Sequence, residues 1–155
     1  GENLTETRRL IEALRPAPLE GASLAGALQR VAGRVGAQNP SLDVSVEGGV
    51  AAEPPAELAA VLVRVAQESL VNAVKHGTPR LIGLTLADSA TNLTLTITDD
   101  GCGFDPAAPR AAASFGLDGM TRRVSDLGGT LEVDSAPGRG TTVRAELPLR
   151  SEEGL

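Results

Sequence analysis

The chain has 155 residues and a formal net charge of −6, long enough for one real core and too acidic for nucleic acid to be its main partner. No stretch approaches the roughly 20 apolar residues of a membrane helix, the polar Gly1-Glu2-Asn3 start lacks signal-peptide character, and a leading glycine without methionine suggests a fragment or a tag scar. Cys102 is the one cysteine, which excludes an intrachain disulfide and suggests a reducing compartment. With no Trp or Tyr, and Phe104 and Phe115 the only phenylalanines, the core has to be Leu, Val, Ile and Ala.

In chain order, Leu4, Thr7, Leu10, Ile11 and Leu14 follow helical spacing over residues 3–15, and Pro16 and Pro18 end that stub. Residues 22–37 read as a second helix, with Leu24, Ala27, Leu28, Val31 and Val35 on one face and Ser23 as a cap. Leu42, Val44 and Val46 alternate as a strand. Residues 55–77 give the strongest helical pattern, opened by Pro55 and closed by Gly77. At 100° per residue, Ala59, Leu62, Val63, Ala66, Leu70, Ala73 and Val74 share one side. Glu68, Asn72, Lys75 and His76 share the opposite side, too mixed in chemistry for a simple solubility stripe.

Residues 81–87 and 92–98 read as a hairpin across Asp88-Ser89-Ala90-Thr91. Residues 105–114 are Ala- and Pro-rich and read as a loop, and 115–127 as a short helix closed by Gly128-Gly129. Residues 130–135 and 141–147 form two more strands joined by Ala136-Pro137-Gly138-Arg139-Gly140, ahead of a polar tail. Paired strands with helices between them indicate a two-layer α/β sandwich with a mixed sheet of about five strands on about three helices.

Common nucleotide motifs are missing: no Gly-x-x-x-x-Gly-Lys-Ser/Thr occurs, and the one lysine, Lys75, lies inside a helix. One Cys and one His exclude a metal site built from those ligands. What remains is a set of separate polar and glycine clusters. The helix offers Glu68, Asn72, Lys75 and His76, and the strand end offers Asp99-Asp100-Gly101-Cys102-Gly103. Gly116-Leu117-Asp118-Gly119-Met120 opens a helix whose free N–H groups favour anions, and Gly138-Arg139-Gly140-Thr141 is another close-approach turn. Converging, they could surround a polyphosphate: an asparagine oxygen suits Mg²⁺, a cation offsets phosphate charge, and a buried carboxylate such as Asp100 can accept from the adenine amine. The Asp-Gly-Cys-Gly stretch alone reads equally as a simple turn, and the polar helix face alone as a solvated one. Cys102 reads as a small packed thiol, Phe104 and Phe115 as anchors for the loop ends, and Arg122 and Arg123 as equally suited to phosphate or solvent.

Gln67-Glu68-Ser69-Leu70-Val71-Asn72-Ala73-Val74-Lys75-His76 resembles the N box of the GHKL ATP-binding superfamily, and the three glycine clusters resemble its glycine boxes in order, over about residues 22–148. Glu-x-x-x-Asn-x-x-Lys-His, Gly-Leu-x-Gly-Met, Arg-Arg-Val and Leu-Gly-Gly are most similar to sensor histidine kinases that pair with helix-turn-helix response regulators. The resemblance implies a Bergerat α/β sandwich and an enzyme presenting ATP·Mg²⁺ to a histidine. It implies Asn72 on Mg²⁺, with Glu68 beside the γ-phosphate as the catalytic group and a second candidate metal ligand. Lys75 and His76 would contact phosphates, and Asp100 the adenine amine, with Asp99 outside the site. Gly101 and Gly103 would allow close approach, residues 105–115 would form the lid, and Gly116, Leu117, Gly119 and Met120 its phosphate-side edge, with Thr141 near the adenine. Residues 1–18 would be the end of a dimerisation helix and a linker, 19–150 the catalytic domain and 151–155 a tail.

The single histidine, His76, falls in the N box, so this chain would bind ATP·Mg²⁺ without phosphorylating itself. The implied partners are the kinase's own dimerisation and phosphoacceptor domain, as a homodimer, and a cognate response regulator, with no nucleic acid. The implied location is cytoplasmic, with membrane anchoring of the parent left open. Two further readings stand beside this one: a serine kinase of the anti-sigma-factor type on the same fold, and a nucleotide-binding module without kinase activity.

Overall fold

The computed structural model describes residues 23–149. The helix expected over residues 3–15, the linker and the tail lie outside them. Ser23 caps the first helix, α1 (Leu24–Gln38), its Oγ accepting from Gly26 N at 2.9 Å. Glu53 reaches back to accept from Leu24 N at 2.7 Å. These side chains occupy N–H groups that the first turn leaves without helical partners. Strand β1 (Asp43–Gly48) follows, then α2 (Ala56–Asn72) after Pro55. The 55–77 helix is not uniform. Its last turn, Ala73–Gly77, widens into a π-helix and ends at Thr78, whose φ of 42° is the one positive value at a non-glycine among the described residues.

The hairpin is β2 (Leu81–Asp88) and β3 (Asn92–Asp99). The segment expected as one loop and one helix is divided differently: α3 (Ala111–Ser114) is a single turn inside the loop, and α4 (Leu117–Asp126) begins after Gly116. Gly116 has φ 64°, which separates the two helices. Strands β4 (Thr130–Ser135) and β5 (Thr141–Pro148) complete a five-stranded sheet of order β1-β2-β3-β5-β4. Only β1 and β2 pair in parallel. This is the expected mixed sheet, with α1, α2 and α4 on one side.

Period-two alternation decides which strand residues meet the helices. Leu84, Leu86, Leu93, Leu95, Ile97, Val143, Ala145 and Leu147 are buried. Thr85, Thr98 and Arg144 on the other face are exposed. From the helices come Leu24 and Leu28, then Leu62, Ala66 and Leu70, then Met120 and Val124. No phenylalanine enters this core. Val31, Val35 and Val74, expected on buried faces, are only partly buried, while Val65 and Ser69 are buried without having been expected so. Leu95 is fully buried in the central strand β3. Leu95→Ala should therefore destabilise the domain by about 2–5 kcal/mol in urea titration, and a cost near that of a surface change would contradict this placement.

Candidate functional site

A candidate cleft lies at the end of β3, where backbone segments approach closely. Cys102 N donates to Gly77 O at 2.9 Å, tying the π-turn to the strand end. A Cβ on Gly101 would come within 2.6 Å of Gly77 O, so only glycine fits. Gly103, with φ 68°, lies against Ala136 in the β4–β5 turn, and Gly138 N donates to Cys102 O at 2.6 Å. Ser135 was not singled out from the sequence, yet its Oγ accepts from Phe104 N at 2.9 Å and contacts Gly140 O and Thr141 Oγ1 at 3.0 and 2.7 Å.

The acidic pair separates in the opposite sense to the expectation. Asp100 is exposed on the side of Arg80 and Leu81, and its Oδ1 accepts from their N–H groups at 2.8 and 3.0 Å. Those bonds, Leu81 first and then Arg80, hold its carboxyl below the ordinary value. Asp99, expected outside the site, lines the cleft with Thr141 opposite it on β5 and Ile82 opposite it on β2. Burial pushes its carboxyl upward; the Gly101 N–H opposes that, the Asp100 charge adds to it, and the Thr141 N–H opposes it again. The parity of β3 explains the exchange. Leu93, Leu95 and Ile97 point to the helices, so Asp99 points the same way and Asp100 does not. That signal was present in the sequence.

The remaining expected residues distribute unevenly. Asn72, His76, Gly103, Leu117 and Thr141 line the cleft together with Ser69, Phe104 and Phe115. Met120 is fully buried, 4.0 Å from Ser69 Oγ through its sulfur, and acts as core. Lys75 is exposed and Gly119 lies on the surface of α4, and neither lines the cleft. Cys102, expected packed, is exposed, with Sγ 3.2 Å from His76 O. Glu68 stands beside the lid end rather than in the cleft: its Oε2 accepts from Arg64 Nε at 2.9 Å and Arg123 Nη1 at 3.2 Å.

The two phenylalanines close the cleft. Their rings stack at 4.0 Å and 15°, and Phe115 also lies 4.4 Å from the His76 ring. Asn72 Nδ2 donates to Phe115 O at 2.7 Å. The cleft measures about 460 Å³ to its open mouth, but the side chains leave only about 30 Å³ of clear room. That suits a water or two, against the roughly 300 Å³ and more of a drug-sized ligand site.

Residues 58–151 match the family model described as histidine kinase-, DNA gyrase B- and HSP90-like ATPase. The chain belongs to this ATPase family. It is 31% identical to the sensor histidine kinase LiaS of Bacillus subtilis (strain 168), an alignment covering 99% of this chain and 42% of LiaS. It is 35% identical to the signal transduction histidine-protein kinase/phosphatase UhpB of Salmonella typhimurium (strain LT2), over 92% of this chain and 28% of UhpB. The chain thus spans less than half the length of these curated relatives. The ATP-binding domain of PrrB from Mycobacterium tuberculosis shares its fold, with a TM-score of 0.66 and 26% identity over 84% of this chain and 96% of that one. No helix among the described residues is long and apolar enough to cross a membrane.

The contrasting carboxyls give opposite pH signatures. Asp100, lowered, contributes stability that is present above the ordinary value of 3.8 and lost as pH falls through its depressed folded pKa. Asp99, raised, contributes stability that is present below 3.8 and lost as pH rises through its folded pKa. Asp100→Asn should thus lower Tm at pH 7, whereas Asp99→Asn should preserve or raise it. Both differences should shrink on titration to pH 3; Tm differences of the same sign at pH 7 would refute the assignment.

Proposed function

We propose that this chain is the ATP-binding catalytic domain of a two-component sensor histidine kinase, presenting the γ-phosphate to a histidine on a dimerisation domain. The observation that carries the reading is the polarity of one cleft. A half-buried carboxylate, Asp99, stands at the strand end, and an amide, Asn72, stands on α2 beside the lid end. Family membership and the kinase relatives support ATP as the ligand and a histidine as acceptor, over the serine-kinase alternative.

In this reading Asp99, not Asp100, accepts from the adenine amine. Thr141, bridged through Ser135 to the Phe104 backbone, closes that end. Gly101 and Gly103 keep the wall thin enough for the base to approach, and His76 and Leu117 flank the phosphates. Lys75, exposed and outside the cleft lining, reaches phosphate only by movement of its side chain. Mg²⁺ would be held here by few protein groups together with the nucleotide, since it usually keeps several waters and bridges phosphates. Asn72 would supply the hard oxygen through Oδ1, its Nδ2 being bound to Phe115 O. Glu68 would be a second ligand only through Oε1, because two guanidinium groups already occupy Oε2.

For transfer, an imidazole nitrogen of the acceptor attacks the γ-phosphorus as the bond to the β,γ-bridging oxygen breaks. ADP leaves with that electron pair, and Glu68 accepts the imidazole proton. Positioning and charge neutralisation supply most of such catalysis. The partners are the kinase's own dimerisation and phosphoacceptor domain, as a homodimer, and a cognate response regulator. The domain works on the cytoplasmic side.

ATP·Mg²⁺ titration and phosphotransfer to a supplied phosphoacceptor domain test the reading. Asp99→Ala should weaken ATP binding about 10- to 100-fold, the range expected for losing a charged hydrogen bond, while Asp100→Ala should change it less than twofold. Acid-labile phosphate should appear on the supplied domain and not on this chain. A strong Asp100 effect with a silent Asp99, or labelling of this chain alone, would overturn the reading. Because Phe115 fills the cleft, Phe115→Ala should tighten ATP binding severalfold in the same titration. Weaker binding would instead make the ring part of the base's platform.

A further inference from the structure

Glu68 is bound asymmetrically. Both of its charged hydrogen bonds fall on Oε2, one from Arg64 a turn earlier on α2 and one from Arg123 on α4. Oε1 faces the lid's end: a Cβ built on Gly116 would lie 3.6 Å from it. The Arg123 guanidinium crosses the start of α4, its Nη1 lying 3.6 Å from where a Gly119 Cβ would be. One turn along α2, Asn72 holds the carbonyl of Phe115, the residue just before Gly116. The hinge between lid and α4 is therefore held on both sides by α2, through an amide and through an ion pair, and of these two the ion pair reaches beyond the hinge into α4.

We propose that Arg123 is a positioning residue for phosphoryl transfer, fixing Glu68 through Oε2 so that Oε1 is presented to the acceptor's proton. The inference rests on the reading of Glu68 as the proton acceptor. Its chemistry follows from the bonds present. A glutamate carboxylate on a helix surface rotates about three side-chain torsions, and a single i,i+4 partner restrains it weakly. A second guanidinium from a different element fixes both the direction of the carboxylate and the distance between α2 and α4. Arg123 lies on the helix that follows the lid, so Glu68 is oriented only when α4 is seated against α2. Lid position and catalytic geometry are then linked without Arg123 touching nucleotide.

Arg123→Gln, Arg123→Lys, Glu68→Gln and the double variant Glu68→Gln/Arg123→Gln test this in the full-length kinase, by ATP affinity and by single-turnover phosphotransfer to its own phosphoacceptor domain. Arg123→Gln should leave ATP affinity within twofold and slow transfer about tenfold, in the range that misplacement of a reacting group causes. Arg123→Lys, which keeps the charge, should recover part of the loss. In the Glu68→Gln background Arg123→Gln should cost less than twofold, because the residue through which it acts is gone. Additive losses, or a fall in affinity for ATP but not ADP, would overturn the inference, the latter by placing Arg123 on the γ-phosphate. If Glu68→Gln itself leaves transfer unchanged, the reading of Glu68 as proton acceptor fails, and this inference fails with it.

Discussion

The close backbone approach at Gly77, Gly101 and Gly103 is the constraint on which the cleft depends. A strand end, a π-turn and a hairpin turn meet with carbonyl oxygens where side chains would otherwise stand, and amide-to-carbonyl bonds from Cys102 and Gly138 join them. The π-turn contributes directly. By widening the end of α2 it carries Gly77 to the strand end and leaves Asn72 and His76 lining the cleft. The strained Thr78 that follows is a local cost accepted at the same junction. Recognition and folding therefore share one set of contacts, and a Cβ at Gly101 would damage both.

Electrostatics divides the same cleft into two unlike ends. Asp99 is held half-buried by the strand pairing, where an anion is costly unless a donor meets it, and only the Gly101 and Thr141 N–H groups do so. Its neighbour Asp100 faces solvent, where two backbone donors satisfy it. The partly satisfied carboxyl is the one suited to an incoming amine. At the lid end the balance is reversed: two arginines meet one glutamate, leaving a local excess of positive charge beside the proposed phosphates.

Much of this was legible in the residues. The division of α2 into an apolar side and a mixed polar side survives, as do the five strands, the Ser23 cap and the identity of the glycine clusters. Helical period and strand period carry that information because burial acts on every turn. The sides to which Asp99 and Asp100 fall were also legible in the alternation of β3, which runs Leu93, Leu95, Ile97, Asp99 on one face. The rest was not accessible. Nothing local tells that Phe115 turns inward, that Ser135 bridges three groups, or that Arg123 rather than Arg122 reaches Glu68. Each depends on distances between elements far apart in the chain. The π-turn likewise reflects tertiary packing against the strand end, not the propensity of Ala73-Val74-Lys75-His76-Gly77.

A lid made mostly of alanine and proline offers few side chains to hold it. Here Ala111 is buried, Phe104 N donates to Ser135 Oγ, and the ends are joined by the stacked phenylalanines and the Asn72 bond to Phe115 O. An aromatic pair contributes about 0.5–1.5 kcal/mol beyond burial, and a neutral hydrogen bond a similar net amount. The closed arrangement is thus favoured by only a few kcal/mol, small enough for a ligand with several charged contacts to displace. A ligand reaching only the Asp99 end leaves the Asn72–Phe115 bond intact, and one reaching only the lid end leaves the Asp99 carboxylate without an added donor.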